Sequence, residues 1–352
     1  MGRTLIFLPP LRTVSGGLAV LAALARELAD LGESVGFVLH DPAHPPMPDL
    51  PPELPVFPLS QPGLAPDDCY LVPEGWPNAL APGLAAGARC RVYCQNWAYL
   101  FSGLPEDMAL SRLPVDYLAV SDPVARYIGA ALHVPPPPIL RPAIDPARFY
   151  PPTAKPAPDP VRVAFMPRKN KALAAMIRRF TEAAPRSDTP RLAWVAIENL
   201  PPDGVAETLR ACHIFLATGF PEGCPLPPLE AMACGCLVAG FAGFGGFDYM
   251  RQIDPGGFTP SVPLRDVPWG GNGCYAADHD VFGAAACLDR LARLWQQGGP
   301  SLATALGNAR LAAAAYAPDC RRAALAALWK GGRNKDGEAP PAAKGRRPLE
   351  TL

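Results

Sequence analysis

The sequence has no excess of charge of either sign: 32 Lys and Arg balance 32 Asp and Glu over 352 residues. A protein that grips nucleic acid across its surface normally carries a strong basic excess, so no nucleic-acid partner is expected. No apolar run approaches the roughly 18 residues that a membrane span needs. The first ten residues, MGRTLIFLPP, reach Pro9 and Pro10 too soon for a signal peptide and read as a buried first strand. The ten cysteines include no C-x2-C pair, and none has a histidine at metal-ligand spacing; Cys90 with Cys94 and Cys234 with Cys236 come nearest. No metal is expected, and the thiols within 231–238 read as small buried hydrophobes. Reduced thiols without an export signal or a span imply a cytoplasmic protein. The G-x-G-x-x-G fingerprint is missing from the first strand–helix turn, which disfavours a nicotinamide or flavin cofactor.

What is present is an alternating α/β pattern over a length sufficient for two domains. The 47 prolines cluster at 41–66, 135–138 and 150–160, between periodic segments. Continuous apolar runs predict buried strands at 4–8, 34–39, 69–72, 91–94 and 117–120, with helices from Gly17 to about Gly32 and over 123–132. A second series begins after a Pro-rich linker, 151–160. Its strands are predicted at 161–165, 192–196, 214–217 and 237–241, and its helices at 171–180, 204–211 and 228–233. Helical spacing continues over 280–295, 302–316 and 318–328. From Gly331 charge and Gly/Pro dominate, and 331–352 reads as a disordered tail. The expected layout is therefore an N-terminal domain over 1–150 and a C-terminal one over 161–330, with a ligand cleft between them.

The chain is organised around 218–235, TGFPEGCPLPPLEAMACG, which carries Glu222 and Glu230 eight positions apart. Pro227 and Pro228 are expected in the first turn of a helix, where a missing N–H costs nothing. Glu230 would then sit in that first turn, held ionised by the helix dipole, with unpaired N–H groups nearby for an anion. A second signal is MPRKNK, where Arg168, Lys169 and Lys171 stand at a helix entrance. Cations are unfavourable there unless an anion is bound. Gly16 and Gly17 open the first helix and would allow close backbone approach to a ligand. Glu74, Gln95, Asn96 and Trp97 end strands of the first domain, where α/β sheets bind ligands, and are candidates for the acceptor side. The glycine cluster at 240–246 reads as a flexible turn.

The stretch PEGCPLPPLEAMACGC resembles the Glu-x7-Glu region of the retaining glycosyltransferases of family 4, with Glu222 and Glu230 at its two glutamates. RPAIDPARF resembles the segment closing that family's N-terminal domain, MPRKN its basic turn, and NGCYAADHDVFGAAACLDRL its region after the nucleotide site. The resemblance implies an α/β protein of GT-B fold: two Rossmann-like domains with parallel sheets facing a central cleft. It further implies that Glu230 accepts hydrogen bonds from the ribose hydroxyls, and that Glu222 contacts the sugar, helped by the N–H groups of Gly223 and Cys224. Arg168 with Lys169 or Lys171 would hold the diphosphate, and Leu226, Gly16 and Gly17 would border the donor. Gln95 and Asn96 stand where that family often has a histidine.

The implied activity is metal-independent, retaining transfer from a UDP- or GDP-type nucleotide sugar to a glycan or lipid-linked glycan, with no cofactor besides the donor. Arg168, Lys169 and Glu222 would do the catalytic work. Lysines and arginines of the tail offer a peripheral contact with the inner face of the membrane. The alternatives are a non-catalytic GT-B module binding a nucleotide sugar or glycan, and a nucleotide-sugar epimerase. Sugar, base and acceptor identity are not legible in the sequence.

Overall fold

The computed structural model describes residues 2–10, 16–46, 50–106, 108–183 and 189–330; the tail from 331 lies outside the described residues. In the first half, β1 (Thr4–Leu8), β2 (Val35–Leu39), β3 (Val56–Pro58), β4 (Cys69–Pro73), β5 (Arg89–Cys94) and β6 (Asp116–Ala119) form one parallel sheet in the order β3-β2-β1-β4-β5-β6. All five residues of β1 are buried, as a strand covered on both faces requires. Helix α1 (Gly16–Asp30) buries Leu18, Leu21, Leu24 and Leu28 from one face, and α2 (Ala81–Ala85) and α3 (Asp122–Leu132) complete the layers. Ser121 caps α3, and His133 closes it in the left-handed conformation.

The second half contains β7 (Val161–Phe165), α4 (Lys171–Ala183), β8 (Leu192–Ala196), α5 (Pro202–Arg210), β9 (Ile214–Ala217), α6 (Leu226–Ala233), β10 (Leu237–Phe241), β11 (Gly273–Ala276), α7 (Val281–Gln297), α8 (Gly299–Ala314) and α9 (Pro318–Lys330). Its sheet is again parallel, in the order β11-β10-β9-β7-β8. The predicted strands of this half agree with the observed ones, but β3 and β11 were not anticipated. Both are short: β3 is a three-residue edge strand inside the Pro-rich 41–66 stretch, and β11 follows a glycine-rich run.

Each sheet reverses its strand order once, between β1 and β4 in the first and between β7 and β9 in the second. At such a point the two loops leave in opposite directions and open a crevice at the carboxyl ends of the strands. The two crevices face each other across direct contacts: Asn96 Nδ2 donates to Pro221 O at 3.0 Å, and Ser121 Oγ donates to Gly223 O at 2.6 Å.

The last helix returns to the first half. Leu325 and Trp329 join its core, Trp329 Nε1 donates to Thr4 Oγ1 at 3.1 Å, and Arg321 Nε donates to Glu27 Oε2 at 2.6 Å. Between the halves lies a fully buried carboxylate, Asp248. It accepts from Arg141 Nε at 2.6 Å and Nη2 at 2.9 Å, from Arg265 Nε at 2.9 Å, from the backbone N–H of Asp122 at 3.1 Å, and from the Tyr316 hydroxyl. Burial alone would raise its pKa. The hydrogen bond and charge of Arg141, with the charge of Arg265, outweigh that and hold it below the usual carboxylate range.

Asp248→Ala would strand two half-buried guanidinium groups, and urea unfolding should show a loss of about 3–5 kcal/mol. Because the folded-state pKa is depressed, the Asp248 contribution is fully present above about pH 4 and disappears as pH falls through the lowered folded value. The gap between variant and parent should therefore narrow in acid; a gap independent of pH, or a loss under 1 kcal/mol, would contradict this role.

Candidate functional site

The loop after β9 carries Glu222 and Gly223 between two neighbours that leave no room for side chains. A Cβ on Gly223 would lie 1.9 Å from Gln95 O across the cleft, and one on Gly245 would lie 2.0 Å from Gly223 O. Glu222 N donates to Gly243 O at 2.9 Å, and Gly245 N donates back to Glu222 O at 3.0 Å, a short parallel bridge. Residues 240–246 are thus the packed floor under the acidic loop rather than a flexible turn. That floor is itself held by Asp278 Oδ1, which accepts from Gly243 N at 3.0 Å.

The basic turn after β7 meets this loop at the strand-order reversal. Asn170, in the left-handed conformation at φ 61°, sends its amide to Thr218 O at 2.7 Å, and the Thr218 hydroxyl donates to Lys169 O. These ties bring Lys169 Nζ into an ion pair with Glu222 Oε1, the lysine side chain 32% exposed and the carboxylate 15%. Arg168 is exposed, with its guanidinium 3.8 Å from Met166 Sδ, and Lys171 is exposed as the first residue of α4.

Glu230 corrects the sequence reading. Helix α6 begins at Leu226 with Pro225 as N-cap, so both prolines lie in its first turn and Glu230 falls in the second; no acidic residue occupies the first turn. The expected stabilisation by the helix end is accordingly missing. Burial instead pushes its carboxyl up to about 7, only partly offset by the positive charges of Arg168 and Arg148. Leu226 packs on the core beneath, and Cys224 packs between the cores of the two halves, where burial raises its thiol well above the ordinary value.

The opposite wall comes from the first half. Glu74, at the end of β4, accepts from Gln95 N at 2.9 Å and from Asn96 N at 2.8 Å. Burial raises its carboxyl to about 7 in spite of those hydrogen bonds. Glu74 therefore shapes the 95–97 loop from behind. Asn96 is committed to Pro221 O, and Trp97 packs against Tyr127, Phe220 and Phe244 at centroid distances of 5.4, 6.3 and 5.3 Å. Gly17 faces the Gln95 side chain, where an added Cβ would stand 3.5 Å from Oε1, whereas a Cβ on Gly16 would meet nothing within 4 Å.

The structure thus brings together Lys169, Glu222, Gly223, Gln95 and Gly17, with Glu230 and Arg168 in electrostatic reach of each other. Lys171 is not drawn into any of these contacts. Sequence reasoning missed Asn170, Ser121, Phe220, Phe244 and Asp278. Asn170 had a signal, since Asn tolerates the left-handed conformation a tight turn demands; the others acquire their roles only through contacts with residues distant in the chain.

A carboxyl whose folded pKa is raised weakens the fold once it ionises. The stabilisation from the protonated form is complete below the unfolded value near 4 and lost as pH rises through about 7. Glu230→Gln should therefore be more stable than the parent at pH 8 by about 1–3 kcal/mol after allowing for partial exposure, with the two converging towards pH 4. Denaturant unfolding at both pH values checks this; a Gln variant less stable at pH 8 would contradict the assignment.

No protein-family model and no curated protein matches this sequence. Solved structures do. The chain is similar to a sucrose-phosphate synthase from Thermosynechococcus elongatus at a TM-score of 0.65 and 14% identity, covering 95% of this chain and 99% of that one. It is similar to a glycosyltransferase from Rickettsia africae at a TM-score of 0.65 and 10% identity, covering 95% and 100%. The catalytic domain of starch synthase IV from Arabidopsis thaliana, bound to ADP and acarbose, matches at 0.54 and 15%, covering 93% and 100%. At these identities the likeness speaks to architecture: two parallel α/β sheets face each other across a cleft, and the chain has the GT-B fold.

Proposed function

We propose that the chain is a glycosyltransferase that moves a sugar from a nucleotide-sugar donor, of UDP or GDP type, to a glycan or lipid-linked glycan in the cytoplasm. The observation that carries this reading is the meeting of the basic turn and the two-glutamate loop at the strand-order reversal of the second sheet, opposite the strand ends of the first. The structural neighbours, among them a starch synthase bound to ADP, support the reaction class.

In this reading Glu230 accepts from the ribose hydroxyls, for which a half-buried carboxylate beside Arg168 and Arg148 is suited. Arg168 and Lys169 take the diphosphate. Breaking the sugar–phosphate bond builds negative charge on that group, and fixed cations aimed at it stabilise the transition state by about 3–4 kcal/mol per donor. With two cations supplying this charge, the leaving group does not require a metal. Gly223, which can carry no side chain, lets the acidic loop lie directly against the opposite wall at Gln95, beside the place the sugar would take. Retention follows from same-face attack, the departing phosphate taking the proton of the acceptor hydroxyl. Glu222 has two partners in turn: Lys169 in the free protein, the sugar in the complex.

A thermal-shift screen with UDP-, GDP- and ADP-sugars should find one that, at about a hundred times its Kd, adds about 2.7 kcal/mol of stability. Glu230→Gln should weaken binding of that nucleotide about 10-fold or more, the cost of losing charge-assisted hydrogen bonds. Glu222→Gln should instead tighten the bare nucleoside diphosphate several-fold, by freeing Lys169, while abolishing turnover of the sugar donor. Absence of any stabilisation across the panel would refute the proposal, and a Glu222→Gln variant with weakened diphosphate binding would refute the exchange of partners.

A further inference from the structure

The backbone on either side of Glu222 is held from two directions. The floor takes the residue itself: Glu222 N donates to Gly243 O at 2.9 Å, and Gly245 N donates to Glu222 O at 3.0 Å. The first half takes the two flanking carbonyls from across the cleft. Asn96 Nδ2 donates to Pro221 O at 3.0 Å, and Ser121 Oγ donates to Gly223 O at 2.6 Å. From the Pro221 carbonyl to the Gly223 carbonyl, every polar backbone group except the Gly223 N–H is thereby committed among the described residues. Gly223 is buried against the opposite wall, and a buried carbonyl there requires a protein donor. Ser121 supplies it.

Both donors are themselves fixed. Ser121 is fully buried and caps α3, its Oγ accepting from Val124 N at 3.5 Å, and the next N–H, that of Asp122, donates to Asp248. Asn96 N donates to Glu74 Oε1 at 2.8 Å, and Asn96 Oδ1 accepts from Ala98 N at 3.1 Å, capping the turn over 97–99. Each side chain thus does two things with separate groups or lone pairs: it caps a turn of the first half and reaches a carbonyl of the second. The other residues of the two-glutamate site are placed differently. Lys169 is set by Asn170 and Thr218, and Arg168 and Glu230 also belong to the second half, so that part of the site is built without the first half.

We propose that Ser121 and Asn96 are positioning residues for sugar transfer: by holding the carbonyls on both sides of Glu222, they set its carboxylate for the sugar, while the nucleotide seat stands without them. The inference rests on the proposed function, in which Glu222 meets the sugar and Glu230, Arg168 and Lys169 hold the nucleotide. It divides the work between the halves. Nucleotide affinity is a property of the second half, whereas the geometry of the reacting end depends on two hydrogen bonds from the first. A displacement of about 1 Å at a reacting group costs a rate of about 100-fold, so loss of either bond is felt in turnover before it is felt in nucleotide binding.

Two substitutions in the full-length protein remove the donors and spare the caps. Ser121→Gly deletes the hydroxyl, and glycine at a helix N-cap costs little. Asn96→Asp keeps the capping oxygen and deletes the amide. Calorimetric titration with UDP, GDP and ADP measures the nucleotide seat, and release of the diphosphate from UDP-glucose, GDP-mannose and ADP-glucose, with water as acceptor, measures turnover. Each variant should bind the diphosphate within about twofold of the parent and release it from the sugar donor about 10- to 100-fold more slowly. Unchanged release in both variants would overturn the proposal, as would a diphosphate affinity that falls in step with release, which is what a merely structural role gives. A parent that binds a diphosphate but releases none from any donor would overturn it too. A parent that binds no nucleoside diphosphate would instead refute the proposed function on which the inference rests.

Discussion

The buried carboxylate of Asp248 is the contact on which the arrangement of the two halves depends. An isolated charge in the interior costs several kcal/mol, and here the cost is met only by groups drawn from four separate pieces of chain. Arg141 comes from the segment leaving the first half, Asp122 from the start of α3, Arg265 from the loop before β11, and Tyr316 from the bend between α8 and α9. None of these can leave without exposing a charge to an apolar surround. The hub follows directly on the glycine floor at 240–246, so the rigidity that satisfies Asp248 also positions the acidic loop above it.

From that support the site follows by topology. Strand-order reversals place the loops after β7 and β9 side by side, and the close glycine contacts let the acidic loop lie against both the floor and the opposite wall. In the proposed function these electrostatics suit a ligand that is anionic at one end and rich in hydroxyl groups at the other. Lys169 is paired with Glu222, whereas Glu230 and Glu74 carry raised pKa values because burial leaves them short of compensating charge.

Much of this was legible in the residues. Continuous apolar runs marked the buried strands because a doubly covered strand has no polar face to interrupt the run, and the strands at 161–165 and 214–217 were readable for that reason. The basic turn stood out because cations at a helix entrance are unfavourable without an anion, and Glu222 because of its spacing from Glu230 in the Glu-x7-Glu stretch. What was not legible depended on tertiary context. The start of α6 was misjudged by two residues because proline is tolerated throughout a first turn, and that shift moved Glu230 away from the helix end and reversed its expected pKa. The acceptor-side reading of Trp97 and Asn96 could not foresee that both are engaged across the cleft, with Phe220, Phe244 and Pro221. The return of α9 to the first sheet was equally hidden, since amphipathic spacing says which face is buried but not against what.

The central claim is that a nucleoside diphosphate seats between the basic turn and the two glutamates. A crystal structure of the protein with the nucleoside diphosphate of its preferred donor tests this most directly. The account predicts Lys169 turned from Glu222 to a phosphate oxygen and the Glu230 carboxylate within hydrogen-bond distance of the ribose hydroxyls. A nucleotide bound elsewhere, or bound here with the Lys169–Glu222 pair intact and Glu230 untouched, would contradict it.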